Sequence, residues 1–426
     1  MDATIEDFIS FLQEAPTPWH TVEALKSRLM RYEFKQLQET SRWSFQHSKK
    51  FFVQRGGALI AFQLPNQTPK SACISASHTD SPCLKIKPHP QFRSHNMQLF
   101  RVESYGGPLL STWFDRDLAL SGQIFVKEGK HSAKHLIIAD QMQVTIPSLA
   151  IHLQEKNDGI PRQYLDKQEH LCPLIGLSDK EENSLEILLR SCLDFDTLLS
   201  ADLYLVPRQA PSILGTSKDL LASYRLDNLS SVHACLTGLI KAESSKHTIQ
   251  ISVFWNHEEI GSDTREGAGS PFLEETLKRI CLALNFDEEE FFTLKAASAC
   301  LSVDVAHCYH PNFSSRYDAQ DHPLFNKGMI IKHHASMRYA TEAELTAQVK
   351  MLCKNQKIPF QDSCGHSEVR GGSTVGPICS AGLGIQTIDL GAPLLAMHST
   401  RELIAIQDQM HLTNFLLNAN QELLHA

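Results

Sequence analysis

The sequence predicts an α/β protein, a largely parallel sheet flanked by helices and interrupted by a β-rich insertion. Three observations carry that expectation. In the second half, apolar runs of strand character ("TIQISVFWN", "SACLSVDVAH", "IQTIDLG") alternate with helix-period segments such as "PFLEETLKRICLAL", and this alternation builds a parallel sheet with helical crossovers. From about residue 87 the texture changes to short alternating strands with turn signals, "NMQLFRVESYGG", "LALSGQIFVKEG" and "HLIIADQMQVTIPSLAIHL", as in an antiparallel β domain. At 426 residues the chain has room for both parts. The expected division is residues 1–86 plus 223–426 as the α/β domain, with 87–222 inserted.

The chain opens with a helix. In "TIEDFISFLQEA" the apolar residues Ile5, Phe8, Ile9 and Leu12 recur at helical steps, and Pro16 and Pro18 end the pattern. A second amphipathic helix is expected from His20 to about Tyr32. "FFVQRGGALIAFQL" reads as a hairpin turned at Gly56 and Gly57, and "SACISASHTDS" as the next strand. Residues 155–200 are polar and read as helical or irregular, and "DLYLVPRQAPSILG" ends the insertion. "TRELIAIQDQMHLTNFLLNANQELLHA" reads as a closing helix.

Composition removes several classes of function. A net charge of -8 without a basic stripe disfavours a nucleic-acid partner. No apolar run approaches the length of a membrane span. The acidic opening "MDATIEDFISFLQEAP" lacks the basic region and apolar core of a signal peptide, so a cytoplasmic location is expected. Eleven cysteines without a CxxC pair argue against a disulfide framework or a cysteine zinc knuckle. The 21 histidines bring metal ligation into consideration.

Ligands of open α/β sheets bind beyond the carboxyl ends of strands. Five such places carry polar residues: "CISASHTDS" with His78 and Asp80, "SYRLDN" with Asp227, "FWNHEE" with Glu258 and Glu259, "LSVDVAH" with Asp304, and "LLAMHS" with His398. Any one of these would pass as a turn residue or a satisfied core polar group. Together they supply nitrogen and oxygen ligands for a pair of divalent cations, Zn2+ first, with Mn2+ or Co2+ as alternatives. The adjacent glutamates then have a physical reason: one binds metal, its neighbour serves as general base, and the cations offset their repulsion. "HEEIG" is not an HExxH zinc motif, because Gly261 stands where the second histidine is required.

The blocks "SHTDSPCLKIKP", "RLDNL", "NHEEIGS", "SVDVAHCYHPN", "PLFNKG", "GSTVGPI" and "LAMHSTRE" resemble, in this order, the M18 family of co-catalytic zinc aminopeptidases typified by aspartyl aminopeptidase. The resemblance implies a zinc-peptidase-like fold whose insertion serves dimerisation. It also implies a metal held by His78, Asp227 and Asp304, and a second held by Glu259, His398 and the shared Asp227. Asp80 would orient His78, and Glu258 would take the proton of the attacking water. His152, in "IPSLAIHL", corresponds to a histidine that binds metal, grips substrate or reaches a neighbouring subunit, although Ser148 stands where the family commonly has a further histidine.

Implied substrates are peptides with a free N-terminus, acidic first residues preferred. Lys327 and His333, with His334, are the cationic candidates for that preference. A homo-oligomer, up to a tetrahedral dodecamer, is implied too. The alternatives are an aminopeptidase of broader or apolar specificity and a catalytically silent scaffold or cargo protein of the same fold.

Overall fold

The computed structural model describes residues 2–154, 156–157, 160–161, 165–180, 183–369 and 371–424. It divides into two compact units, Met1–Ser81 with Pro211–Met397 and Glu402–Ala426, and Pro82–Ala210 with His398–Arg401.

The first unit is built on a nine-stranded mixed sheet. Its strands in chain order are β1 (Lys35–Leu37), β2 (Lys50–Arg55), β3 (Ala58–Gln63), β4 (Ser71–His78), β5 (Thr248–Trp255), β6 (Ala299–Val303), β7 (Met329–His333), β8 (Phe360–Cys364) and β9 (Gln386–Gly391). They lie in the order β1-β2-β3-β5-β4-β6-β9-β7-β8. The central run β5-β4-β6-β9 is parallel, while β3 pairs antiparallel with β5, and β7 with β9. The α/β class expected from the sequence is thus observed, with antiparallel pairings toward both edges.

Every residue of β4 and β5 is buried. Parallel strands covered on both faces need apolar residues on both, and two helix layers supply the cover. On one face Phe8, Leu25, Leu229, Leu236, Leu345 and Phe415 pack from α1 (Ala3–Glu14), α2 (Pro18–Arg31), α3 (Leu226–Lys241), α6 (Ala343–Asn355) and α8 (Ile406–Glu422). On the other, Phe272, Leu277, Leu294 and Leu383 pack from α4 (Phe272–Ala283), α5 (Glu288–Ala296) and α7 (Val375–Leu383). A five-stranded sheet (Ser212–Leu214, Leu220–Ser223, Glu402–Ala405, Pro393–Leu395, Ala306–His307) completes this unit.

Local chemistry accounts for most boundaries. The Asp2 side chain caps α1 by accepting from the Thr4 amide at 2.8 Å. Helix α2 begins at Pro18, two residues before the sequence suggests, because proline at the first helical position sacrifices no internal hydrogen bond. The hairpin β2–β3 turns at Gly56, whose φ of 59° suits glycine. The closing helix starts only at Ile406: Glu402–Ala405 is a strand paired on both sides, and ladder bonds to two neighbours override a helical reading of "ELIA".

The second unit is a six-stranded antiparallel sheet in the order Leu174–Leu177, Met97–Tyr105, Cys83–Ser94, Leu198–Pro207, Leu118–Glu128, His131–Ile138. Its first strand starts at Cys83, so the break falls before residue 86. "TIPSLAIHL" is not the strand its alternation suggests. Pro147 cannot donate to a ladder, and the Asp115 carboxylate accepts the amide of Ser148 at 2.9 Å and its hydroxyl at 2.5 Å. The chain then forms a single 3-10 turn, Ile151–Leu153. No helix among the described residues is long and apolar enough to cross a membrane.

Candidate metal centre

Strand register assembles the centre. Trp255 of β5 pairs with His78 of β4, and Ser302 of β6 pairs with Ala76. The last residue of β4 and the residues just past β5 and β6 therefore emerge along one edge of the sheet. His78 Nε2 lies 3.4 Å from Asp227 Oδ1, 3.7 Å from Asp304 Oδ1 and 3.9 Å from Glu258 Oε2. Two overlapping sets, His78 with Glu258 and Asp304 and His78 with Asp227 and Glu259, have donor atoms within 4.8 Å of one another.

The turn presenting the two glutamates is held from below. Past Trp255 the chain reverses through His257 (φ 65°) into a 3-10 turn, Glu258–Ile260, and leaves through Gly261 (φ 100°). Asp80, 1% exposed, binds that turn with both carboxylate oxygens: Oδ1 accepts the Glu258 amide and Oδ2 the Glu259 amide, each at 3.1 Å. Its backbone oxygen lies 3.1 Å and its Oδ1 3.4 Å from His78 Nδ1. One carboxylate thus positions both glutamates and abuts the imidazole, more than the orienting role the sequence suggests.

Asp227 sits at the mouth of α3. Buried Glu402 accepts its amide at 2.9 Å, and the Ser81 hydroxyl donates to its carbonyl at 2.6 Å. The Asp227–Asn228 peptide bond is cis. Arg225, left-handed at φ 64° and buried, donates to the carbonyls of Ala15 and Thr79, tying the entry of α3 to the end of β4.

This concentration of acid governs the electrostatics. Burial, then the proximity of Asp227 and Glu258, holds Glu259 well above the usual carboxylate range. Burial likewise raises Glu258; His78 opposes the rise, and Asp304, Asp80 and Asp227 add to it. Burial alone would depress the His78 imidazole, but Glu258 and hydrogen bonds with Asp227, Asp304 and Asp80 outweigh it and hold the ring well above its ordinary value. One imidazole among buried carboxylates is a donor set for hard-to-borderline divalent cations. Two ligands bound tetrahedrally to one zinc are about 3.4 Å apart, the separation of His78 Nε2 and Asp227 Oδ1. The residues therefore fit a zinc-type metal.

His398 is in neither donor set. It belongs to the second unit, with Nδ1 3.0 Å from the Gly107 carbonyl oxygen. His152, also in that unit, is exposed on its 3-10 turn between exposed Ile151 and Leu153.

Beside Asp304 the first unit contains a cavity of about 510 Å³. Lys327 and His333 do not line it. Lys327 is exposed on a turn whose flanking amides are held by Asp408, and His333 pairs with Asp362 at 2.7 Å. His334 does line it, and so does Lys332, a residue absent from the sequence-derived candidates. Lys332 is 3% exposed, with Nζ 3.5 Å from Asp304 Oδ2. Burial would lower its pKa, but Asp304, then Tyr339, Asp389 and Asp227, raise it instead, so the ammonium stays charged. A lysine closing the apolar run "MII" was the available signal.

The sequence model of aminopeptidase I zinc metalloproteases (M18) matches residues 11–419. A probable M18 family aminopeptidase 2 from Streptomyces avermitilis is 38% identical over 424 residues, covering 97% of this chain and 96% of its own. Among solved structures, one of an Ape4 and Nbr1 complex superposes with a TM-score of 0.90 at 31% identity, covering 98% of this chain and 85% of that one. The S. cerevisiae mApe1 dodecamer superposes at 0.83 and 27%, with 98% and 96% covered.

Proposed function

The chain belongs to the M18 family of zinc metalloproteases, and on that footing we propose that it is an aminopeptidase that removes acidic residues, Asp or Glu, from peptides with a free N-terminus. The observation that carries the acidic preference is Lys332: a buried, charged ammonium lining a cavity next to the candidate metal ligand Asp304. A buried ammonium donates to a carboxylate, whereas an apolar side chain beside it gains no hydrogen bond and only removes its water.

His78, Asp227 and Asp304 would hold one divalent ion, Zn2+ first. Glu259 and Asp227, with His398, would hold the other. When bound, the metal lowers the pKa of the attacking water and polarises the scissile carbonyl. Glu258 accepts the proton as the water oxygen attacks the carbonyl carbon, then returns it to the departing nitrogen as the C–N bond breaks, leaving a free amino acid and a peptide shortened by one residue. Asp80 keeps Glu258 in reach through its grip on the turn amides.

The reading extends to a homo-oligomer. Leu149, Ile151 and Leu153 are 44%, 53% and 70% exposed around His152, and an apolar run of this kind fits burial against another copy. The function is tested with zinc-loaded protein on substrates carrying free N-terminal Asp, Glu, Leu, Ala or Lys, with N-acetylated and chelator controls. Chelator-sensitive cleavage confined to free Asp and Glu is the expected result. Equal cleavage of Leu would defeat the acidic preference, and no cleavage with metal bound would defeat the catalytic reading itself.

A further inference from the structure

Two of the loops that line the cavity hang from one buried carboxylate that the catalytic reading does not use. Asp389, on β9, is 0% exposed. Its Oδ2 accepts the Ala340 amide at 2.6 Å and its Oδ1 accepts the Thr374 hydroxyl, while its own amide donates to Thr341 Oγ1 at 3.1 Å. The loops are further latched together where the Arg338 guanidinium donates to the Gly371 carbonyl at 2.7 Å. Residues that line the cavity, His334 and Tyr339 on one loop and Gly371 on the other, flank these attachments.

The same carboxylate stands beside the cavity's cation. The antiparallel register sets Ile330 opposite Gly391 and Ile331 opposite Leu390, the neighbours of Lys332 and Asp389, and the Asp389 charge is among those that hold the Lys332 ammonium. The Lys332 ammonium is 5.4 Å from the centre of the Tyr339 ring. Packing leaves the carboxylate no slack: a Cβ on Gly376, in the first turn of α7, would lie 2.2 Å from Asp389 Oδ2.

We propose that Asp389 is a positioning residue that fixes Tyr339 over Lys332 and so determines which first side chain the cavity accepts. The inference rests on the cavity being the first-residue pocket. Asp389 touches no reacting atom, so its loss of grip acts on substrate fit and leaves the chemical step alone.

The test avoids changing Asp389's charge. In the zinc-loaded full chain, Thr374→Val removes one hydroxyl latch at constant volume, Thr374→Ser restores it, and Gly376→Ala pushes on the carboxylate from the other side. For the best wild-type substrate, Thr374→Val and Gly376→Ala are each expected to raise KM about tenfold, the worth of one hydrogen bond to a charged group. In both, kcat should stay within about twofold and zinc content should not change. Thr374→Ser is expected to retain the wild-type KM. An unchanged KM in either disruptive variant, or an equal fall of kcat on every substrate, overturns the inference. A wild type that prefers apolar first residues defeats the acidic reading alone, because the KM criterion then applies to the apolar substrate.

Discussion

Replacing Asp80 with asparagine isolates the clamp beneath the two glutamates. Asparagine keeps one acceptor oxygen where aspartate has two, yet two amides, those of Glu258 and Glu259, donate to this side chain at 3.1 Å each. One buried N–H then faces an amide NH2, a loss of about 1–3 kcal/mol. The turn carrying Glu258 and Glu259 loosens, and substitutions of residues that orient metal ligands typically weaken metal binding about 10–100-fold. Through linkage, a hundredfold weaker affinity removes about 2.7 kcal/mol of metal-dependent stabilisation.

Repulsion works in the opposite sense in the metal-free protein. Asp80 is one of the carboxylates that raise Glu258 and Glu259, and its neutralisation relieves them. Thermal unfolding with and without zinc, paired with chelator competition for zinc affinity, separates the two effects. The zinc-loaded melting temperature should fall toward the metal-free one, which itself should move little. Wild-type zinc affinity in Asp80→Asn would refute the clamp, and so would equal destabilisation of both forms, which marks a general packing defect.

The same geometry sets further outcomes. Glu258→Gln should retain zinc and lower kcat by about 10²–10⁴-fold, the usual worth of a positioned base; wild-type turnover would remove Glu258 from that role. Lys332→Met should lower kcat/KM for acidic first residues about 10–100-fold and spare a leucine substrate, since a hydrogen bond to a charged group is worth about 1.5–3 kcal/mol; an equal loss on both would place Lys332 in the support of Asp304 instead. Metal-free protein should lose stability as pH rises. Glu258 and Glu259 keep protons in the folded state above the ordinary 4.5, and His78 above the ordinary 6.5, so the unfolded chain binds fewer protons in that window. His78's contribution is complete below 6.5 and is lost as pH rises through its raised folded value. Chemical denaturation of chelated protein from about pH 5 to about pH 9 reads this trend, and a flat or rising profile contradicts it. Zinc binding must then displace protons, measurable by calorimetry in two buffers of different ionisation enthalpy.

Much of the candidate centre was legible in sequence because most of its acidic and imidazole residues come directly after apolar strands. "CISASH", "FWNHEE" and "LSVD" each mark the end of a buried run, and a parallel sheet must bring such ends to one edge. His78, Asp227, Glu258, Glu259 and Asp304 do converge. The residues that support them were not legible. Glu402 and Arg225 act by accepting from or donating to backbone groups of distant segments, as Asp389 does beneath the cavity loops, and no local spacing records such a partner. Lys332 is not legible for a related reason: burial distinguishes it from Lys327, and burial comes from packing.

Residue order alone was enough for the α/β class, the acid-rich strand ends and the absence of an HExxH motif, since strand periodicity and residue chemistry are local properties. Folding in three dimensions was needed to settle which carboxylate oxygen faces which amide, that "TIPSLAIHL" leaves the sheet after Thr145 and "ELIA" joins one, and that Lys332 lines the cavity. Each of these depends on contacts between residues far apart in the chain, where hydrogen-bond satisfaction and desolvation override local preference.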